Sequence, residues 1–432
     1  MTPIPGSAGA TLRRRVRGAW PVLLLSGLAS CGEEGVPGAP AEPVMRDSAG
    51  VQIVESVAPR WTSAGARLSD RPQVEIRGSG QVAEQTPLDP AGAYRAANGW
   101  YVVADGLFAG WDEVMLFDEA GRYMASYGRD GRGPCEFGQL WWAQPYPGDS
   151  IAAHDYSRHK ITIFDREGVC GREIQLPTWQ PPTERGTYGF ADGAEGIFAD
   201  GSVLSYPNGY LDISTGPGAV WYRHALLRVS ADGERWDSLG QFGISQATWT
   251  GAKQLMRPYA ATGSVAIDGD GFWYGTGETF EVRRFQANGQ VSRIVRIARE
   301  PQPLTATDRT TFETWYLDLV RNSREGGEAA LERVRAELRE VQWPERKPAY
   351  SYLLAGPGGE LWVEEYRWIS PFHVPPAPPP TLWSVFDAAG RWLGQVEVPG
   401  RLLLRSIGQD YVTGIWVNED DTKDVRVYGL SR

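Results

Sequence analysis

The sequence predicts an all-β fold: a six-bladed β-propeller closed by pairing of its N- and C-terminal strands, with a helical hairpin inserted between blades four and five. Three observations predict it. One strand-and-turn signature occurs six times, the chain stops inside its last repeat while its beginning supplies a matching half, and the composition couples 52 glycines to 11% aromatic residues. That pairing of residue types suits many short strands joined by tight turns.

The signature is a branched or aromatic strand followed by an Asp-containing turn closing on Gly. Its copies are VMLFDEAG (114–121), ITIFDREG (161–168), LLRVSADG (226–233), VRRFQANG (282–289), LWSVFDAAG (382–390) and VRVYGLSR (425–432). Five of them end on a glycine that can supply the positive φ of a short hairpin. A second strand precedes each copy, ending at Asp105, Asp155, Pro207, Gly277, Tyr366 and Glu419, and outer strands follow at 122–128, 171–177 and 391–399. The unit is therefore a four-stranded meander. Such a sheet cannot cover both of its faces alone, and radial packing against neighbours solves that problem while leaving only short edges.

The sixth unit lacks an outer strand. Residues 46–56, RDSAGVQIVES, read as the turn and outer strand of the same repeat, so the expectation is that 47–56 pairs beside the last strand and shuts the ring. Residues 304–341 follow a helical pattern: Phe312, Trp315, Tyr316 and Leu319 form one stripe, and Leu331, Val334, Leu338 and Val341 form another. Gly326 and Gly327 separate the two, and Thr305 with Asp308 resembles a capping box.

Residues 1–30 are set apart from the fold. Arg13, Arg14, Arg15 and Arg17 precede a short apolar run that ends in Leu28-Ala29-Ser30-Cys31, which resembles the lipobox of bacterial lipoproteins. That resemblance implies export and a lipid anchor on Cys31; a plain secretory peptide is the other reading. The segment 31–46 opens with CGEEGVPGAPAEP and reads as a disordered tether, which leaves 47–432 for the propeller. The only membrane association expected is through the lipid, with the outer membrane favoured because Gly32, not Asp, follows the anchor.

By its repeats, the mature chain resembles NHL-like six-bladed β-propellers of the bacterial lipoprotein type. The sharpest local match is YGRDGRGPCEFGQL (127–140), similar to that group's glycine-rich linker, with Cys135 standing where the group usually has Gly. If that Gly takes a positive φ, Cys135 is strained or the turn has shifted. The resemblance implies architecture more firmly than activity, because members include sensors, scaffolds, lyases and lactonases.

Strand order sends the second-to-third-strand loops and the crossovers to one face, where the linker 128–138, the insertion 304–341, and the loops 106–113 and 370–380 would gather. This elaborated face is the candidate binding surface. Trp141, Arg257, Tyr259, Lys347, Tyr350 and Arg401 are expected at the mouth of a central tunnel, where cations and aromatic rings would suit an anionic or sugar-like ligand. Arg129, Arg132 and Glu136 in the linker are a candidate anion site, with pinning of the crossover as the bland reading. Cys135 and Cys170 are placed on opposite faces by this topology and are expected not to bond to each other.

A formal net charge of −10 argues against a nucleic-acid partner. Four histidines (His154, His159, His224, His373) and no recognised nucleophile, zinc or phosphate-loop motif leave no catalytic set to name and no cofactor to expect. The sequence therefore points to an envelope-tethered binding or scaffold module for an unknown protein or small molecule. The alternative is a lactonase- or lyase-type propeller enzyme that would need a divalent metal.

Overall fold

The computed structural model describes residues 42–61, 65–77, 88–106, 112–178, 193–207, 209–324, 326–368 and 377–432. The export signal, Cys31, most of the tether, residues 107–111, and residues 369–376 with His373 lie outside them. The chain opens with a hairpin of β1 (Val44–Ser48) and β2 (Val51–Ser56), followed by the short strands β3 (Arg67–Leu68) and β4 (Val74–Arg77). Strand thus begins at Val44, inside the segment read as tether.

Among the described residues the strands form six sheets. Sheet I is β5 (Pro90–Arg95), β6 (Tyr101–Asp105), β7 (Glu113–Phe117) and β8 (Tyr123–Tyr127), and sheet II is β9 (Leu140–Tyr146), β10 (Ser150–Asp155), β11 (Lys160–Phe164) and β12 (Cys170–Gln175). Sheet III takes β13 (Gly193–Ile197), β14 (Val203–Tyr206), β15 (Tyr210–Asp212), β16 (Gly218–Val229), β17 (Trp236–Trp249) and β18 (Gln254–Met256). Sheet IV has β19 (Ser264–Asp268), β20 (Gly271–Gly275), β21 (Glu281–Gln286) and β22 (Val291–Ile297). Helices α1 (Ala306–Arg321) and α2 (Glu328–Glu340) precede sheet V, made of β23 (Tyr350–Ala355), β24 (Leu361–Glu365), β25 (Thr381–Phe386) and β26 (Trp392–Val398). Sheet VI contains β27 (Leu402–Ile407), β28 (Tyr411–Val417) and β29 (Lys423–Ser431).

The repeated turn explains the repeated hairpin. Gly121 has φ 76° and donates its N–H to the Asp118 carbonyl at 2.9 Å, while the Asp118 carboxylate accepts from the amides of Ala120 and Arg122. Only glycine adopts that φ without steric cost. The same three-residue closure recurs at 165–168, 230–233, 286–289 and 387–390.

Alternation along the strands then fixes the packing. In β6, Tyr101 and Val103 join Ile76, Val425 and Val427 in one apolar cluster, whereas Val102 and Ala104 join Leu140, Ala143 and Ile151 in another. Both faces are apolar because neighbouring sheets cover both. Comparable clusters lie between sheets II and III around Trp142 and Ile161, III and IV around Phe242 and Phe272, IV and V around Trp273 and Tyr350, and V and VI around Trp383 and Leu404. The first strand of each sheet touches the first strand of the next, and β27 returns to β5.

Five of these first strands carry a one-residue β-bulge. The unpaired residues are Ala91, Trp141, Glu195, Ser351 and Arg405, and β19 alone is regular. A bulge bends the strand and re-aims the extra side chain.

Two sequence expectations are corrected. First, 47–56 does not lie beside the last strand: Ala49 and Gly50 turn the chain, β2 folds back on β1, and β2 then runs parallel to β22 on the outer side of sheet IV. The outer place of sheet VI is filled by β4, which pairs with Asp424–Val427, and β3 pairs with the end of β29. The Asp-x-x-Gly pattern at 47–50 does mark a turn, but its hairpin closes locally and the strand's half-buried side packs on a different sheet.

Second, Cys135 and Cys170 are disulfide-bonded, with their Cα atoms 6.1 Å apart. The linker leaving sheet I does not stay on one face. It runs past the outer strand of sheet II, where the Cys135 amide donates to Glu173 at 2.9 Å, before turning inward at Phe137. Cys135 sits at φ 60°, the left-handed conformation that the glycine of the resembling linkers would relax.

The hairpin insertion forms as its pattern predicts. Thr305 caps α1 in a reciprocal capping box with Asp308, and Gly327 is the N-cap of α2. Phe312, Val334 and Leu338 pack against Tyr259, Tyr366 and Trp368, so the hairpin is docked on the sheets by an aromatic cluster. Leu317 and Val320 join that cluster where the stripe predicts Leu319. No helix among the described residues is long and apolar enough to cross a membrane.

Candidate functional site

The segments flanking the hairpin pair with each other before the helices begin. Leu304 N–H donates to the Glu345 carbonyl at 2.9 Å and Lys347 N–H to the Gln302 carbonyl at 2.8 Å, which sets the N-terminus of α1 beside the start of β23. Between this stalk, α1 and the end of β24 lies a cleft of about 360 Å³. It falls on the elaborated face, since β24 leads into a second-to-third-strand loop and residues 299–302 leave an outer strand.

Rings and paired charges line the cleft. Tyr259, Phe280, Tyr366 and Trp368 supply the aromatic surface. The Lys347 ammonium lies 3.1 Å from the Asp308 carboxylate, and Arg299 lies 2.8 Å from Glu365. Arg299 also rests over the Phe280 ring at 4.9 Å, a geometry that orients a guanidinium by cation–π attraction. Hydrogen bonds from the Thr305 hydroxyl and amide, then the bond from Lys347, hold the Asp308 carboxyl below its ordinary range. The Tyr259 hydroxyl donates to the Asp308 carbonyl at 2.9 Å, and burial pushes its pKa up to about 12. Desolvation raises Tyr366 as well, so both phenols stay neutral donors and acceptors at ordinary pH.

Of the six residues expected at a tunnel mouth, the structure brings two into this cleft, Tyr259 and Lys347. Arg257 stands beside it, donating to the Gln342 carbonyl at 3.0 Å. Tyr350 is buried between sheets IV and V, its hydroxyl on the Glu281 carbonyl at 2.7 Å. Arg401 is buried in sheet VI and donates to the Val417 carbonyl at 2.9 Å. Trp141 is on sheet II, in the bulge of β9. These six side chains do not converge on one mouth, because strand starts that align in sequence are shifted by bulges and by the stalk. Arg299, Glu365, Tyr366 and Trp368 escaped sequence reasoning, and Asp308 was read only as part of a helix cap. Their only signal is adjacency to the insertion and to the end of a second strand.

In the glycine linker, Arg129 donates to Glu136 at 2.8 Å and the Gly133 amide donates to the same carboxylate at 2.6 Å. Those two bonds, the amide first, hold Glu136 below the ordinary carboxylate range. Arg158 reaches the Glu136 carbonyl at 3.1 Å, Arg132 is exposed, and Phe137 is fully buried between sheets I and II. Arg129 and the Gly133 amide are thus directed at the linker's own carboxylate.

His154 is fully buried, and desolvation lowers its pKa to about 3. His224 is buried too, at about 4, so both rings are neutral at physiological pH. Among the described residues no group of three or more His, Cys, Asp or Glu side chains is placed to hold a metal ion.

No protein-family model and no curated protein matches the chain. Several solved structures align with most of the chain at low identity. A member of the DUF4221 family from Bacteroides vulgatus is 11% identical over 85% of this chain and 99% of that one, with a TM-score of 0.49. Virginiamycin B lyase from Staphylococcus aureus is 10% identical over 85% and 100%, with a TM-score of 0.37. A gluconolactonase from Xanthomonas campestris is 12% identical over 84% and 100%, with a TM-score of 0.35. At such similarity the chemistry must come from this chain's own residues.

Proposed function

We propose that the chain is an NHL-like six-bladed β-propeller of the cell envelope, exported and lipid-anchored through Cys31, that acts as a binding module. Its ligand is a small polar molecule with a flat apolar face, of carbohydrate type, held in the cleft beneath the helical hairpin. The observation that carries this reading is the cleft's lining: aromatic walls, with Lys347 and Arg299 paired to Asp308 and Glu365, and with the third cation, Arg367, donating to the carbonyls of Pro379 and Gly400. An anionic ligand would have to displace those carboxylates. A sugar-like one can stack on the rings and bond to the fixed ion pairs without breaking them.

The ring is supported by six sheets, six apolar junctions and contacts that return from sheet VI to sheet I. Export is supported by the Cys135–Cys170 disulfide, since such bonds persist in oxidising compartments. The lipid anchor rests on the lipobox-like run before Cys31, and the mass of the N-terminal peptide of the envelope-extracted protein tests it. The outer membrane is favoured by Gly32 after the anchor.

The binding role is tested by titrating envelope saccharides and muropeptides into the full chain in detergent, alongside Tyr366→Ala and Trp368→Ala. Saturable binding by wild type that both variants lose supports the reading. Binding that both variants retain, or none to any saccharide, overturns it.

A further inference from the structure

The two acids that pair with cations in the cleft are not equivalent. Both oxygens of Asp308 are engaged, Oδ1 by the Lys347 ammonium at 3.1 Å and Oδ2 by the Thr305 amide at 2.9 Å and hydroxyl at 2.7 Å. That carboxylate closes the helix cap and ties it to the stalk. Glu365 differs. The three groups that reach it all converge on Oε1: the Ser384 hydroxyl at 2.8 Å, the Gln395 side-chain amide, and the Arg299 guanidinium at 2.8 Å. Its Oε2 accepts from no group among the described residues and is not sealed from solvent.

Strand register fixes this arrangement. In sheet V, Val363 of β24 lies opposite Ser384 of β25, and Ser384 lies opposite Gln395 of β26, so Glu365, two residues beyond Val363, shares their face. Ser384 is fully buried, and it holds the carboxylate from the sheet side together with Gln395. Arg299 arrives from the end of sheet IV and rests over the Phe280 ring at 4.9 Å and the Trp392 ring at 6.0 Å. Among the described residues its Nε and Nη1 donate to nothing, and 40% of the side chain is accessible. The pair thus presents an open donor edge beside an open acceptor on the cleft wall. Both are already held, so neither has to be ordered when a ligand arrives.

We propose that Arg299 and Glu365 determine specificity in the cleft by receiving two adjacent ring hydroxyls of a sugar. One hydroxyl donates to Glu365 Oε2, and its neighbour accepts from Arg299 Nε or Nη1. This rests on the saccharide reading of the cleft and adds the hydroxyl pattern that the cleft selects. Charge and shape decide the choice. A cationic group at Oε2 would be repelled by Arg299, and an anionic group at the guanidinium by Glu365. A neutral partner that carries a donor beside an acceptor satisfies both. The trans amide of an acetamido group directs its N–H and C=O in opposite directions, so it meets only one of the two. Adjacent hydroxyls meet both, and a sugar lacking either leaves a charged group without its bond.

The experiment is isothermal titration of the full chain in detergent with the methyl pyranosides of glucose, galactose and mannose, each beside its monodeoxy analogues. Glu365→Gln, Arg299→Gln and, for the cleft as a whole, Tyr366→Ala are titrated alongside. At least one parent glycoside should bind wild type saturably. Deleting either hydroxyl of one adjacent pair should weaken it by about tenfold or more, the loss expected for a hydrogen bond to a charged group. In Glu365→Gln, deleting one of the two should then change affinity by less than about threefold, and in Arg299→Gln the other, because residue and hydroxyl form one interaction. Melting curves establish that the variants are folded, and should either fail to fold, the deoxy series on wild type decides. Monodeoxy analogues that all bind as well as their parents, or sensitive hydroxyls that keep their full effect in both folded variants, overturn the proposal. If Tyr366→Ala still abolishes binding in that case, the saccharide reading stands without it. No saturable binding of any of these glycosides up to roughly 50 mM also overturns the proposal, and the larger envelope saccharides then decide the reading separately.

Discussion

Replacing both cysteines of the Cys135–Cys170 pair with alanine should destabilise the protein by roughly 4 kcal/mol. The bridge closes a loop with a sequence separation of 35, and the chain-entropy relation for a loop of about that length gives about 3.8 kcal/mol at 25 °C. A second, smaller effect works the other way at residue 135. The φ of 60° there strains any side chain with a Cβ, so Cys135→Gly/Cys170→Ala should be more stable than Cys135→Ala/Cys170→Ala by about 1 kcal/mol. Urea unfolding followed by tryptophan fluorescence measures both differences as shifts in midpoint at comparable slope. If the double-alanine variant unfolds within about 1 kcal/mol of wild type, the bridge does not restrain the unfolded chain as argued. If glycine at 135 gives no gain over alanine, the linker has relaxed to another backbone conformation.

Asp105 is buried, with its carboxylate accepting the Asp89 amide at 2.6 Å, and desolvation raises its pKa to about 7. The folded state keeps a proton that the unfolded chain releases near pH 4, so stability should fall as pH rises from about 4 to 7, at about 1.4 kcal/mol per unit. In Asp105→Asn that slope should vanish, and thermal melts across this range check whether the two proteins converge near pH 4 and separate above it. Thr305→Ala should cost about 1 kcal/mol by removing the hydroxyl that caps α1, seen as faster amide exchange in the first turn of the helix with the sheets unchanged. Ile76→Ala should cost about 2–5 kcal/mol, because Ile76 is 1% exposed in the cluster joining sheets VI and I, and the loss appears in the same urea titration.

What the sequence made legible was local. The Asp-to-Gly turns at 118–121, 165–168 and 387–390 have the positive-φ glycines their letters demand, and Thr305, Asp308 and Gly327 stop and start helices where their chemistry places them. The positive φ at Cys135 was legible too, through comparison with a glycine-bearing linker. Pairings between distant segments were not. Nothing in VEIR at 74–77 distinguishes it from the better-patterned VQIVES at 51–56 as the partner of β29, since that choice depends on which sheet is left uncovered once the others have packed. The disulfide was missed for the same reason: a linker assigned to one face can travel along a neighbouring strand. The cleft was half legible, Tyr259 and Lys347 being found but not the carboxylates opposite them, because ion pairs across an insertion leave no periodic trace. Bulges shift register by a single residue, and no side-chain pattern announces them.

The late partner of β4 has a consequence for biogenesis. Ser69 and Gly429, hydrogen-bonded to each other, are 360 residues apart, so the part of the chain made early must wait with an unsatisfied edge until residues near Gly429 arrive. Any stall before those residues are in place would leave complementary sticky strands on separate molecules. Head-to-tail swapped oligomers, and a demand for holdase chaperones during folding, would be the expected signature of such a stall.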